Sequence, residues 1–155
     1  MVCFTRYSSP LGPLLLLSDG NALTGLYLPA QNIPAQEAVQ QDNPQVFTQV
    51  RRWLDSYFRC QPREIDFPLC PAGTDFRKQV WDRLMDIPYG STCTYGELAR
   101  SISPTMSAQA VGQAVGANPI SIIIPCHRCV GSGGKLTGYA GGLEAKKWLL
   151  EHEQK

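Results

Sequence analysis

Acidic side chains are missing from much of the C-terminal half. No Asp or Glu occurs between Glu97 and Glu144, whereas Arg100, Arg128 and Lys135 do. Such a stretch tolerates a polyanion, but three cations leave only a modest electrostatic footprint, and a neutral loop-rich segment accounts for it equally well. Long apolar runs are missing too. Leu14 to Leu17 stops at Ser18-Asp19, far short of a membrane span, so no membrane partner is expected. Met1-Val2-Cys3-Phe4-Thr5-Arg6 lacks the basic start and apolar core of a secretory signal, and the expected location is cytoplasmic. Histidine is scarce. With only His127 and His152, and no second close cysteine pair, a four-ligand site cannot be completed, and neither metal nor cofactor is expected.

What is present is the composition of a globular protein: 155 residues, 43% hydrophobic and 17% charged. The net charge of +1 is unevenly spread. Residues 1–70 hold five basic and six acidic side chains, and residues 71–155 hold nine and seven. The six cysteines (Cys3, Cys60, Cys70, Cys93, Cys126 and Cys129) fit free thiols in a reducing compartment better than three disulfides.

The first third reads as β-structure followed by one helix. Val2 to Tyr7, Leu14 to Ser18 and Leu23 to Leu28 are short apolar runs divided by turn signals, which predicts an antiparallel meander. Ile33 to Asn43 is polar and Gln-rich and reads as a loop. From Pro44, the apolar positions Phe47, Val50, Trp53, Leu54, Tyr57 and Phe58 recur at spacings of three and four, the pattern of an amphipathic helix. Ile65, Phe67 and Leu69 alternate as in an edge strand, and Pro68 to Gly73 reads as a linker. The expected domains are therefore 1–70 and 71–155.

In the second domain Thr74 is placed to cap a helix carrying Phe76, Val80, Trp81 and Leu84, ended by Pro88-Tyr89-Gly90. Thr94 is placed to cap another over Tyr95 to Ile102, and Ser103-Pro104-Thr105 breaks it. Ser107 to Ala117 then forms the second half of a helix-turn-helix. Gly112 and Gly116 lie inside that helix at a cost of roughly 1 kcal/mol each against alanine. Their spacing calls for close approach by another backbone, and helix packing in the core is the reading that spacing favours. Ile122-Ile123-Ile124 reads as a buried strand, Gly131 to Gly142 as a hairpin containing Tyr139, and Leu143 to Glu153 as a closing amphipathic helix.

Cys126 stands behind that isoleucine run and Pro125, with His127 and Arg128 beside it, two neighbours able to favour a thiolate. It has three readings: a small buried hydrophobe, half of a Cys126-x-x-Cys129 redox pair, or a nucleophile whose proton passes to His127. The glycines after Val130 argue against the helix that a redox pair uses. Glu153 could orient the imidazole from the last helix, or be no more than a solvated helix-end charge.

Ile124-Pro125-Cys126-His127-Arg128 resembles the active-site motif of the O6-alkylguanine-DNA alkyltransferases, the methylated-DNA–protein-cysteine methyltransferases. Ile87-Pro88-Tyr89-Gly90, Thr94-Tyr95-Gly96-Glu97-Leu98-Ala99, Ala110-Val111-Gly112, Asn118-Pro119, Thr137 to Gly142 and Lys146 to Glu153 extend the likeness, which is specific from about Thr74 and looser before it. The resemblance implies an α/β (α+β) fold: a ribonuclease H-like sheet-plus-helix domain, then a winged-helix-like domain with the helix-turn-helix. It implies single-use, irreversible transfer of an alkyl group from guanine O6, with thymine O4 as a further candidate, after the base is flipped out of duplex DNA. The protein would act as a monomer. Cys126 would be the acceptor, His127 would relay its proton through a water to Glu153, and Asn118 would bond to the Glu–His side and brace the turn. Tyr95 would donate to the guanine ring, Lys146 would support Tyr95, Tyr139, the Ala140 backbone and Val115 would line the pocket, and the backbone carbonyls of Cys126 and Cys129 would receive the base's amino group. Ala108, Gln109, Ala110 and Gly112 would meet the minor groove, with Arg128 and Ser132 adding DNA contacts.

Two residues depart from the family pattern. Gln109 stands where an arginine commonly fills the gap left by the flipped base, and it lacks that charge and planar surface. Cys129 stands where an aliphatic residue is usual, and leaves a disulfide with Cys126 open. The competing readings are a non-catalytic alkylguanine-recognition module, whose known relatives lack the acceptor cysteine, and a thiol redox protein.

Overall fold

The computed structural model describes residues 2–155. β1 (Cys3–Ser9) and β2 (Gly12–Ser18) form a hairpin with Cys3 opposite Ser18 and Ser9 opposite Gly12, and β3 (Leu23–Tyr27) adds antiparallel to β2. The turn read at Asp19 is made by its carboxylate, whose Oδ1 accepts from the amides of Asn21 and Ala22, both at 2.9 Å. The sheet order is β3-β2-β1-β4. β4 (Val39–Gln40) falls inside the stretch expected to be loop. It pairs parallel to β1 through backbone bonds, Val39 N to Val2 O at 2.9 Å and Gln41 N to Phe4 O at 3.1 Å, and its own side chains are exposed, so no hydrophobic pattern announces it.

α1 (Gln45–Phe58) follows Pro44 and buries Phe47, Val50, Trp53, Leu54 and Tyr57 against the sheet and the second half of the chain. The edge strand expected around Ile65 to Leu69 is reduced to a single bridge between Leu69 and Leu23. Pro62, Pro68 and Pro71 withhold donors there, and strands cannot extend without them.

α2 (Asp75–Leu84), β5 (Cys93–Thr94), α3 (Tyr95–Ile102) and α4 (Ala108–Gly116) follow. Thr74 and Thr94 each accept a backbone amide as expected, Ser107, read as the first residue of its helix, proves to be that helix's cap, and Thr94 with Glu97 makes a full capping box. α2 stops at Leu84, before the proline turn expected to end it. Trp81 locks α2 to α4 by donating its indole N–H to Ala114 O at 2.8 Å. β5 pairs parallel with β6 (Cys129–Val130), and α5 (Leu143–His152) closes the chain.

Two expected elements are replaced. Ile122 to Ile124 is buried but turns rather than extends, with Ile122 at φ 70°. The stretch from Gly131 to Gly142 is no hairpin. After a short 3-10 turn at Ser132–Gly134 it runs as irregular chain, because Gly133 and Gly134 at φ 71° and 81° close the loop at once on Gly131. Among the described residues no helix is long and apolar enough to cross a membrane.

Candidate active site

The segment that delivers Cys126 is held from both sides. Leu26 of β3 donates to Pro119 O at 2.8 Å and accepts from Ser121 N at 3.0 Å, which continues the N-terminal sheet into the turn. Asn118 then spans the turn itself. Its amide donates to Ile120 O at 3.2 Å and Ile124 O at 2.9 Å, and its oxygen accepts from Ile120 N at 3.0 Å. A β-branched residue at positive φ, such as Ile122, persists only where its surroundings over-determine it. The asparagine bracket supplies that constraint. The bond expected from Asn118 to the Glu–His side is not made: its side-chain partners are Ile120 and Ile124 of the turn.

Cys126 opens a single 3-10 turn, Cys126–Arg128, and forms part of the wall of an open cleft of about 690 Å³. The residue is buried, 5% exposed. Burial pushes its pKa up, against the pull of the Asn118 amide, the Tyr139 hydroxyl and the Lys146 ammonium. The resting sulfur is therefore a protonated thiol and must lose its proton in order to react.

His127 is fully buried and sits 2.6 Å from Glu153, Nε2 to Oε2. Glu153 is the hub. Oε1 accepts from Arg128 Nε at 2.8 Å and Gly90 N at 3.3 Å, and Oε2 also accepts from Tyr57 OH at 2.6 Å and Arg128 Nη2 at 3.2 Å. Burial alone would raise its pKa, but the donors, His127 foremost, then Arg128 and Tyr57, hold it at about 2. Burial lowers the pKa of His127 and outweighs the opposing pull of Glu153, so the imidazole rests neutral. A neutral ring bound to an ionised carboxylate carries its proton on Nε2. Nδ1 is then a lone pair, buried and without a protein partner, and it is the available base.

Arg128 is not where a DNA contact would be. It is 9% exposed, turned inward onto Glu153, donates through Nη1 to Ile87 O at 2.8 Å, and lies 5.6 Å from the Tyr89 ring centre. Burial beside a carboxylate outcompetes solvent and phosphate for this guanidinium. For the same reason it does not act on the thiol as the sequence suggests; the cation lowering the Cys126 pKa is Lys146.

Tyr95, Ala108, Gln109, Gly112, Val115, Asn118, Tyr139 and Ala140 all line the cleft with Cys126. Tyr95 is half-buried, and burial raises its pKa, so it remains a hydrogen-bond donor. Lys146 is fully buried, donates to Thr137 O at 3.2 Å and sits 5.8 Å over the Tyr95 ring. Cys129 is not in the cleft wall. It is fully buried in β6 opposite Cys93, and burial, followed by the neighbouring Cys93, pushes its thiol up to about 12. Ser132 is exposed beyond β6, and Ala110 is half-buried on α4; neither is in the cleft lining.

The glycines of α4 do not serve core packing. A side chain at Gly116 would meet nothing within 4 Å, and one at Gly112 would reach Tyr95 only at an ordinary 3.7 Å. Both glycines lie in the cleft lining, so the small-residue face is open toward it. The sequence reading missed Tyr57, whose i, i+3, i+4 pattern marked it only as core, and Gly90, whose amide caps the carboxylate. It also missed Ser121, a cleft residue tied to Gln31 of the N-terminal half at 3.0 Å.

Two family models match the chain: "6-O-methylguanine DNA methyltransferase, ribonuclease-like domain" over residues 2–71, and the DNA binding domain of the same name over residues 75–155. Proteins named methylated-DNA–protein-cysteine methyltransferase match over nearly the whole length. The one from Mycobacterium bovis is 43% identical, over 99% of this chain and 93% of its own. The one from Haemophilus influenzae is 46% identical, over 97% and 86%. Among solved structures, Mycobacterium tuberculosis OGT in complex with DNA superposes with a TM-score of 0.90 at 43% identity, covering 98% of this chain and 92% of that one.

Proposed function

The chain belongs to the 6-O-methylguanine DNA methyltransferase family, and from that premise we propose that Cys126 is the alkyl acceptor of its DNA repair reaction. The protein reverses damage directly, moving an alkyl group from guanine O6 in DNA to a protein cysteine. One observation carries the assignment of the acceptor: Cys126 is a protonated thiol in a cleft wall, followed directly by an imidazole whose Nε2–H is fixed by an ionised carboxylate.

His127 takes the thiol proton at Nδ1 through a bridging water, and Glu153 stabilises the resulting imidazolium. The thiolate attacks the alkyl carbon in line. A C–S bond forms, the C–O6 bond breaks, and its electron pair passes to the guanine ring. Tyr95 donates to that ring as the charge develops, and Lys146 holds Tyr95 in place. Tyr139, Ala140 and Val115 enclose the base. The alkylated O6 is stacked inside a duplex, so the nucleotide is rotated out into the cleft while the open face of Ala108, Gln109 and Gly112 lies against the DNA. A thioether offers no bond for water to cleave, so each molecule acts once. We further propose that it works as a cytoplasmic monomer on duplex DNA carrying alkylated guanine.

The test is to incubate the protein with duplex DNA containing O6-methylguanine and weigh the intact protein. A gain of one methyl mapping to Cys126 is expected. Binding without a mass change would instead indicate a recognition module, and a mass gain on another residue would overturn the assignment.

Gln109 is exposed at the rim of the cleft on the first turn of α4. Its amide has neither the charge nor the stacking surface of a guanidinium with which to replace an extruded base. Gln109→Arg is therefore expected to raise the rate on duplex DNA roughly tenfold, the scale of one well-placed contact near 1.4 kcal/mol, and to leave reaction with a free alkylated guanine analogue unchanged. Equal rates of Gln109→Arg and wild type on duplex DNA would remove this role.

A further inference from the structure

Glu153 follows the last turn of α5, where the unpaired carbonyls of a helix end disfavour a negative charge. Its ionised state therefore depends on donors from other elements. Arg128 and Gly90 serve Oε1, whereas Oε2, the oxygen facing His127, has a second strong donor from the far end of the chain. That donor is the Tyr57 hydroxyl on α1, at 2.6 Å and 96 residues away in sequence. Tyr57 is 1% exposed, and its ring is clamped by Trp53 at 5.4 Å, Phe58 at 5.2 Å, His152 at 5.3 Å and Tyr89 at 5.9 Å. The clamp fixes where the hydroxyl points. Burial and the adjacent Glu153 charge keep the proton on the oxygen, so it acts only as a donor.

We propose that Tyr57 is a positioning residue for the transfer: the N-terminal half, through this one hydroxyl, fixes the carboxylate that orients His127. The inference rests on the roles given above to Cys126, His127 and Glu153. The alternative geometry is already close at hand. Arg128 already pairs with both oxygens, Nε to Oε1 at 2.8 Å and Nη2 to Oε2 at a longer 3.2 Å, and without the phenol the carboxylate can rotate to tighten the second bond. That rotation draws Oε2 away from His127 and leaves the imidazole free to tilt.

Tyr57→Phe removes the hydroxyl and keeps the ring clamp. At saturating methylated duplex its transfer rate constant is expected to fall roughly tenfold, the scale of one lost hydrogen bond to a buried charge, with DNA affinity unchanged. The His127 Nε2–H proton resonance moves upfield as its bond to Glu153 lengthens. Phe47→Leu, which loosens the packing of α1 ten residues away from Tyr57 and leaves the ring clamp intact, is expected to lower the melting temperature and to leave rate and resonance as in wild type. In a Glu153→Gln background Tyr57→Phe should add no further slowing, since both act through one carboxylate. An unchanged rate in Tyr57→Phe, a fall that Phe47→Leu reproduces, or full additivity with Glu153→Gln would each overturn the role of Tyr57. A wild-type protein that takes up no methyl defeats the reading of Cys126 instead, so the two failures are distinct.

Discussion

Cys126→Ala takes up no methyl from O6-methylguanine duplex at any time or concentration, while still binding the DNA. Total loss is expected because transfer is a stoichiometric covalent event and each of the other five thiols lacks a condition that Cys126 meets. Cys129 is fully buried outside the cleft lining, with its thiol pushed up to about 12 by burial and by Cys93. Cys93 is half-buried in β5, and burial raises its pKa as well. Cys3 lies in β1, where its thiol contacts Gln41, and Cys70 is an exposed thiol on the linker. Cys60 is the nearest rival, since its sulfur is 3.8 Å from His152 Nε2. That nitrogen is already committed to Tyr57 O at 2.8 Å, and Cys60 is not in the lining of the main cleft. Intact-mass measurement against a time course decides the matter. A methyl adduct on Cys126→Ala would move the acceptor elsewhere and undo the proposed relay with it.

The parts of this site that rest on local rules were legible in the sequence. Thr94 and Ser107 announce the starts of α3 and α4 because an N-cap is a contact within a few residues. The apolar periodicity of α1 places Tyr57 in the core. The parts set by long-range contacts were not legible. Three consecutive isoleucines look like a strand, and nothing nearby says that an asparagine four residues upstream of Ile122 will bend them. The same holds for Arg128. Beside a reactive cysteine in an acid-free stretch, an arginine invites a phosphate, and only the folded chain brings Glu153 within 2.8 Å of it from 25 residues away. The resemblance carried the role of Glu153 but not that of Tyr57, because the latter depends on how one half of the chain packs against the other.

That inward turn of Arg128 leads to the second large effect, a loss of stability rather than of DNA affinity. Arg128→Met removes three hydrogen bonds, two to Glu153 and one to Ile87 O, and leaves a buried carboxylate short of its cationic partner. Breaking a buried pair from one side costs about 3–5 kcal/mol, which for a chain of this size lowers the melting temperature by about 10 °C. The acid limb of unfolding moves with it. In the wild type the Glu153 pKa lies at about 2, below its ordinary 4.5. The stability it contributes is therefore fully present above about pH 4.5 and is lost as the pH falls toward 2. Without Arg128 the folded pKa rises toward the unfolded one, the contribution shrinks, and acid unfolding begins at higher pH. A phosphate-binding arginine gives the opposite signature: an unchanged melting curve, and a slope of log affinity against log salt reduced by about one. Thermal and acid melts of Arg128→Met, set beside its salt titration on duplex DNA, separate the two. A stable variant with the shallower slope would return Arg128 to the DNA interface and leave Glu153 held by Tyr57, His127 and Gly90 alone.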